Sequence, residues 1–189
     1  MEQPLKEKLD RNIWITRKCR INASERLLSH AKYIEALNVY YSVFVIILSL
    51  VSLTKQDHIL SLISFALSIA LTISIIYANS TGYRERSFAL KQNYIDLQLL
   101  LDQLSYIDAD DQKSVIGISA KYAELLKSSE NHMPIDMYQL KDRSSDPNMK
   151  LSKTERCSYY CQLAWVHLWR GGLFLLPLVV AILLSLIHI

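Results

Sequence analysis

Three long stretches of this chain carry no formal charge: residues 36–54, 58–83 and 171–189. An α-helix rises about 1.5 Å per residue, so about 20 apolar residues cross a hydrocarbon core of about 30 Å, and each stretch is long enough to span a bilayer. Their aliphatic residues run together rather than alternating, which is unlike the strands of a barrel. The pattern predicts an all-α membrane protein. The turn Lys55-Gln56-Asp57-His58 between the first two stretches can join only antiparallel neighbours, so these form a transmembrane helical hairpin.

Outside the apolar blocks the periodicity is amphipathic. Trp14, Ile21, Leu28 and Ala31 recur at helical spacing among Arg17, Lys18, Arg20, Arg26 and Lys32, which predicts a basic helix over roughly 13–35 leading into the first span. Past Gly82, Leu90, Tyr94, Leu97, Leu101 and Leu104 fall at spacings of 4, 3, 4 and 3, a heptad seam suited to packing on a neighbouring helix or on another subunit. Asp110 and Asp111 are placed to cap a following helix whose stripe is Val115, Ile118, Tyr122 and Leu125, giving a cytoplasmic helical hairpin. Pro134 and Pro147 bracket a connection expected to be the least ordered part of the chain. Ser152-Lys153-Thr154-Glu155 has the spacing of a capping box, so a last helix begins there and runs into a third, C-terminal apolar helix. Trp165 and Trp169 stand where an interfacial aromatic belt is expected, Gly171-Gly172 marks an expected bend, and Pro177 an expected kink whose freed carbonyl a neighbour re-satisfies. The expected organisation is therefore a basic helix over 1–35, a transmembrane hairpin over 36–83, a cytoplasmic helical region over 84–150, and an amphipathic helix continuing into a third span over 151–189.

Charge distribution orients this arrangement. Eight Lys or Arg precede Glu35, Lys55 alone lies between the first two blocks, and twelve lie between Arg84 and Arg170. The positive-inside rule puts the N-terminus and the 84–170 segment in the cytoplasm and the Lys55 turn outside, as in a multi-pass membrane protein, with Ile189 expected at the outer face. The first 35 residues are too charged for a signal-peptide core, so insertion is expected to rest on the spans. Cys19, Cys157 and Cys161 all fall on the cytoplasmic side, where thiols stay reduced.

Chemistry of the enzymatic kind is hard to find. His30, His58, His132, His167 and His188 are isolated, four glycines supply no phosphate-cradling loop, and the Cys157–Cys161 pair has no companions to complete a tetrahedral metal set. No catalytic residue, cofactor or metal site is expected. What the spans do carry is hydroxyl groups. Ser61, Ser64, Ser68 and Thr72 are spaced 3, 4 and 4 apart with Asn79 near their continuation, and Ser42, Ser49 and Ser52 echo them in the first span. Such a stripe either lets helices pack closely while bonding to their own backbone, or lines a water-filled path where several hairpins associate. The cluster Arg17, Lys18, Arg20 and Arg26 likewise has two readings: a topology signal touching anionic lipid, or a grip on a phosphate-bearing ligand. Burying the hydroxyl stripe takes another helix, either the third span or another subunit, and with the leucine seam as a second self-association surface this points to a homo-oligomer in the lipid bilayer.

The run Arg17-Lys18-Cys19-Arg20-Ile21-Asn22-Ala23-Ser24-Glu25-Arg26-Leu27, followed by Asn38-Val39-Tyr40-Tyr41-Ser42-Val43-Phe44 and a short-turned hairpin, resembles the SLATT family, the SMODS- and SLOG-associating two-transmembrane effectors of bacterial conflict systems. Residues 84–104 and Pro134-Ile135-Asp136-Met137-Tyr138 extend the resemblance to about Leu140. The resemblance implies a pore-forming or membrane-disrupting effector of antiviral defence by abortive infection, triggered by a nucleotide second messenger or by a partner such as a nucleotide cyclase or reverse transcriptase. The alternative is a non-conducting membrane anchor that recruits such a partner. A third apolar block is a departure from the two spans of the family's name.

Overall fold

A computed structural model describes residues 5–108 and 111–187; Asp110, His188 and Ile189, which figure in the expectations above, lie outside them. The order is α1 (Leu5–Lys55), α2 (His58–Ser80), α3 (Tyr83–Ser105), α4 (Gln112–Lys127), α5 (Pro134–Arg143), a 3-10 turn (Pro147–Met149) and α6 (Lys153–Ile187), with no strand among the described residues. The all-α membrane architecture follows, since three stretches, Leu5–Lys55, His58–Ser105 and Lys153–Leu183, are long and apolar enough to cross a bilayer.

Helix ends follow local chemistry. No Gly or Pro interrupts residues 5–55, so α1 starts earlier than the expected position near 13 and runs for 51 residues without a break. Asp57 caps α2, its carboxylate accepting from the Ile59 and Leu60 amides at 2.8 and 3.2 Å. Gly82, with φ of 57°, takes the left-handed turn between α2 and α3 that a side chain would resist. Asp111 caps α4 through the Ser114 amide at 3.1 Å. The capping box of α6 forms reciprocally: the Ser152 amide donates to Glu155 at 2.9 Å and the Glu155 amide to Ser152 Oγ at 3.2 Å.

One expectation about the helices needs correction. The 134–147 connection contains a ten-residue helix, α5, started by Pro134 at its first position and fixed by Asp136, which has no exposed surface. Gly171 and Gly172, the expected bend, lie inside α6, which continues through them to Ile187; an added Cβ at either would meet nothing within 4 Å, so close packing does not require them.

The chain forms two compact units, one of residues 1–28 and 84–159 and one of residues 29–83 and 160–189. In the first, Leu9 and Ile13 of α1 meet Leu97, Leu100 and Leu104 of α3 and Val115 and Ile118 of α4, with Leu101, Tyr122 and Leu125 at the margin. Most of the heptad seam faces inward: Leu90, Leu97 and Leu104 are buried in the chain's own core and offer no surface to a second subunit, while Tyr94 and Leu101 are half-buried. In the second unit α6 packs on α1. The Tyr33 and Tyr41 hydroxyls donate to the carbonyls of Arg170 and Leu173, each at 2.8 Å, and Tyr40 stacks on Phe174 with centroids 4.5 Å apart. Outward-facing Ile46, Ile47, Leu53, Leu62, Phe65 and Leu183 are all exposed, as lipid-facing residues are.

Candidate functional site

The buried face of α1 in the first unit carries polar residues among its apolar ones, Leu9, Ile13, Cys19, Ala23 and Leu27. Arg20, Asn22 and Ser24 are buried there, while Trp14 and Ile21 are only half-buried. Each buried group has a partner on another helix. Arg20 donates from Nη1 to the Leu125 carbonyl at 3.0 Å and from Nη2 to that of Leu126 at 3.4 Å, satisfying carbonyls that the last turn of α4 leaves open and placing a cation at its negative end. Asn22 donates to the Asp136 carbonyl at 2.9 Å. Ser24 and Ser87 of α3 exchange hydrogen bonds, Ser24 Oγ reaching the Ser87 carbonyl at 3.0 Å and Ser87 Oγ the Ser24 carbonyl at 2.8 Å.

Arg26 completes the set. Its Nε and Nη2 grip both carboxylate oxygens of Asp136 at 2.9 and 3.0 Å, a bidentate pair, while Asp136 also accepts from the Met133 amide at 2.8 Å. The string 17–27 is therefore the rib through which α1 holds α3, α4 and α5. Of the four cations singled out in the sequence, Arg20 and Arg26 are committed to internal partners, and Arg17 Nε and Arg20 Nε are buried with no hydrogen-bond partner among the described residues. Asp136, Asn22 and Ser87 have no periodicity or motif spacing to betray them; Asp136 shows only as part of the Pro134–Tyr138 stretch.

Beside this rib lies an open cavity of about 390 Å³ lined by Trp14, Lys18, Ile21, Asn22, Glu25 and Leu140, with Arg143, Ser144 and Ser145 at the end of α5. Lys18 Nζ stands 5.7 Å from the Trp14 ring. Two cations, an aromatic plane and two hydroxyl residues converge on it, so Lys18 is the one cation of the predicted cluster that lines the cavity.

Ionisation in this unit is set by burial. Desolvation, with Asp136 nearby, pushes the Cys19 thiol up to about 12, so it stays a thiol and packs 3.8 Å from the Met137 sulfur. Burial first, and then the like charge of Arg20, lowers the pKa of His132, although Asp136 opposes the shift. All three cysteines are free, and no group of three or more His, Cys, Asp or Glu side chains among the described residues is placed to hold a metal.

The hydroxyl stripe lies in the second unit. Ser42 and Ser49 donate to the carbonyls of Asn38 and Val45 four residues back, and Ser64, Ser68 and Thr72 to those of Ser61, Phe65 and Ser68. Ser52 instead reaches across the turn to the Asp57 carbonyl at 3.1 Å. Ser52 and Ser64 are buried, Ser42, Ser49 and Ser68 half-buried, and Ser61, Thr72 and Asn79 exposed. The stripe is not uniformly available on one surface of a single chain.

Residues 2–183 match a family model described as SMODS and SLOG-associating 2TM effector domain family 5. Among curated proteins and among solved structures, nothing matches.

Proposed function

The chain belongs to the SMODS and SLOG-associating 2TM effector domain family, over nearly its whole length, and from that premise we propose that it is a pore-forming or membrane-disrupting effector of bacterial antiviral defence. In this reading copies assemble in the inner membrane with the N-terminus and the 84–170 segment in the cytoplasm, and the hydroxyl-bearing faces of α1 and α2 line the path. The trigger is a nucleotide signal or a partner such as a nucleotide cyclase or reverse transcriptase, acting on the polar helical layer. The observation that carries the reading is α1 itself. One unbroken 51-residue helix bears both the rib of Arg20, Asn22, Ser24 and Arg26 and the first span.

A second reading is favoured by the hydroxyl bonding. Ser42, Ser49, Ser64, Ser68 and Thr72 each donate to their own helix, which satisfies them without water and suits a non-conducting anchor that recruits a partner. Dye uptake by cells carrying the triggered system separates the two. Ser64→Leu with Ser68→Leu abolishes uptake if the hydroxyls line a path, while membrane insertion and partner co-purification persist. Uptake equal to that of the wild type removes the pore reading. Orientation is tested separately: single-Cys variants near Lys55 label from outside intact cells, whereas those near Lys121 label only after the membrane is opened.

A further inference from the structure

Within the second unit, the boundary between charged and apolar sequence is held level on two helices. The uncharged stretch of α1 begins at residue 36 and that of α6 at residue 171, and the bond from the Tyr33 hydroxyl to the Arg170 carbonyl sets the two side by side. At 1.5 Å per residue, Trp169 and Arg170 stand within about 3 Å of the start of the apolar block of α6, inside a headgroup layer of about 5–7 Å. Trp165 and Trp169 stack with centroids 6.5 Å apart and both are exposed. Arg170 is fixed in place: its guanidinium lies over the Tyr33 ring at 4.9 Å, and Nη1 donates to Ser29 Oγ at 3.3 Å. Its Nε and Nη2 bond to no described residue and are not buried, so most of its five N–H donors remain open. Ser29 accepts the Arg170 bond and, unlike Ser42 and Ser49 on the same helix, donates to no carbonyl among the described residues. No carboxylate among the described residues pairs with Arg170 or with the exposed Lys32; Glu35, the nearest acid in sequence, is not a partner of either.

We propose that Arg170 and Ser29 clasp the phosphate of an anionic phospholipid, with Trp165 and Trp169 beside it at the interface. Depth selects the occupant. Open guanidinium donors and a spare hydroxyl held at the edge of the hydrocarbon meet the phosphate layer whichever way the chain is oriented, and a planar guanidinium can engage two phosphate oxygens at once. Charge selects the headgroup: Arg170 and Lys32 repel the ammonium of a zwitterionic lipid and favour one such as phosphatidylglycerol, which has none. Because Ser29 lies on α1 and Arg170 on α6, the lipid joins the first and third spanning helices on the side where they enter the membrane. The inference requires only that the chain spans a bilayer, and it stands whether or not the protein conducts.

Fluorescence quenching by brominated lipid tests it. The full chain with Trp14→Phe, in which only Trp165 and Trp169 fluoresce, is reconstituted into phosphatidylcholine vesicles containing either brominated phosphatidylglycerol or brominated phosphatidylcholine. The expected result is a preference for phosphatidylglycerol of about five-fold, the ~1 kcal/mol of one basic residue at an anionic surface. Arg170→Gln should bring the two lipids close to equal. Ser29→Ala, which removes the spare hydroxyl and no packing, and Arg170→Lys, which keeps the charge without the fork, should each lower the preference with helical content unchanged. Equal quenching by the two lipids around the parent chain overturns the proposal. A preference unmoved by Ser29→Ala and Arg170→Lys overturns it too, and assigns the enrichment to the general positive charge of the chain. Loss of the preference on adding inorganic phosphate, but not sodium chloride of the same ionic strength, overturns it in favour of a site for a free anion. The measurement needs no trigger and no conduction, so a chain that fails the dye-uptake test can still show the preference, and the pore can survive its absence.

Discussion

The Tyr41 hydroxyl donates at 2.8 Å to the carbonyl of Leu173, the one carbonyl of α6 that Pro177, four residues on, deprives of its amide partner. In hydrocarbon no water can take that place, so the bond from α1 both completes the backbone of α6 and ties the third apolar helix to the first. Removing the donor and removing its cause should therefore compensate. Tyr41→Phe is expected to lower thermal stability in detergent by the ~0.6–1.7 kcal/mol typical of interhelical bonds in membranes. In a Pro177→Ala background, where an amide serves the carbonyl again, the same change should cost much less. Equal losses in both backgrounds would show that the bond does not serve this carbonyl.

Two leucines two positions apart on α3 should behave oppositely. Leu97 has no exposed surface and sits among Leu9, Ile13 and Ile118, whereas Leu99 is 56% exposed. Leu97→Asp is expected to destabilise the first unit by more than the ~2–5 kcal/mol of a Leu→Ala truncation, because a charge replaces the packing. Leu99→Asp should leave the melting temperature near that of the wild type. Circular dichroism melts of both variants decide the matter.

That contrast shows how far a sequence reading reaches. Period-3.5 spacing locates Leu90, Leu97 and Leu104 on one face and correctly marks it as a packing face, but spacing has no way to say whether the partner is the same chain or another. The three spans, the Asp111 cap, the Ser152–Glu155 box and the Pro177 orphan are all legible because each depends on residues close in sequence. The rib is not, because its partners Ser87, Leu125 and Asp136 lie 63 or more positions from the α1 residues they meet and are found only once the helices pack. Counted as a cation, Arg20 reads as a surface ligand grip; buried against two carbonyls, it is a strut. Helix α5 is missed for a related reason, since Pro134 reads as a breaker unless Asp136 is known to stabilise the turn behind it.

The Arg26–Asp136 pair should be costly to halve. Asp136 is wholly buried, and the Arg26 side chain retains 23% exposure. Arg26→Ala leaves a buried carboxylate with the Met133 amide as its remaining charge-directed donor, an expected loss approaching the ~3–5 kcal/mol of a broken buried pair, moderated by the partial exposure of Arg26. The readout is faster proteolysis within residues 128–150 and a lower melting temperature. Arg26→Lys should recover only part of the loss, because an ammonium cannot reproduce the bidentate geometry. Proteolysis at the wild-type rate would mean that α5 is held by other contacts.

Acidification should loosen the same region through His132. Its folded pKa lies below the ordinary value of 6.5, so at neutral pH both folded and unfolded states hold it uncharged and the full stability is present. As pH falls through 6.5 the unfolded chain takes up the proton first, and stability declines until the folded pKa is passed. Melting temperatures should therefore begin to drop as pH falls through about 6.5, where ordinary carboxylates remain ionised. His132→Gln should flatten that part of the profile. A decline unchanged in the variant would assign it to other groups.

Arg20 and Lys18 stand two residues apart on α1, about 200° round the helix from each other, and should divide cleanly into strut and ligand contact. Arg20 is 1% exposed, and its guanidinium bonds to the open end of α4; Lys18 lines the cavity of about 390 Å³ with Arg143 and Trp14. Hydrogen bonds to a charged group contribute about 1.5–3 kcal/mol, so Arg20→Met should lower the melting temperature and lose activity by unfolding the layer, regardless of the trigger. Lys18→Ala with Arg143→Ala removes no buried bond and should melt as the wild type does. If a small anionic signal enters this cavity, the double variant inserts normally, assembles normally and fails to kill on activation. Killing restored by Lys18→Arg with Arg143→Lys, which keep both charges, would assign the effect to charge. A double variant that kills as efficiently as the wild type removes the cavity from the trigger and leaves a protein partner docking elsewhere on the 84–150 region.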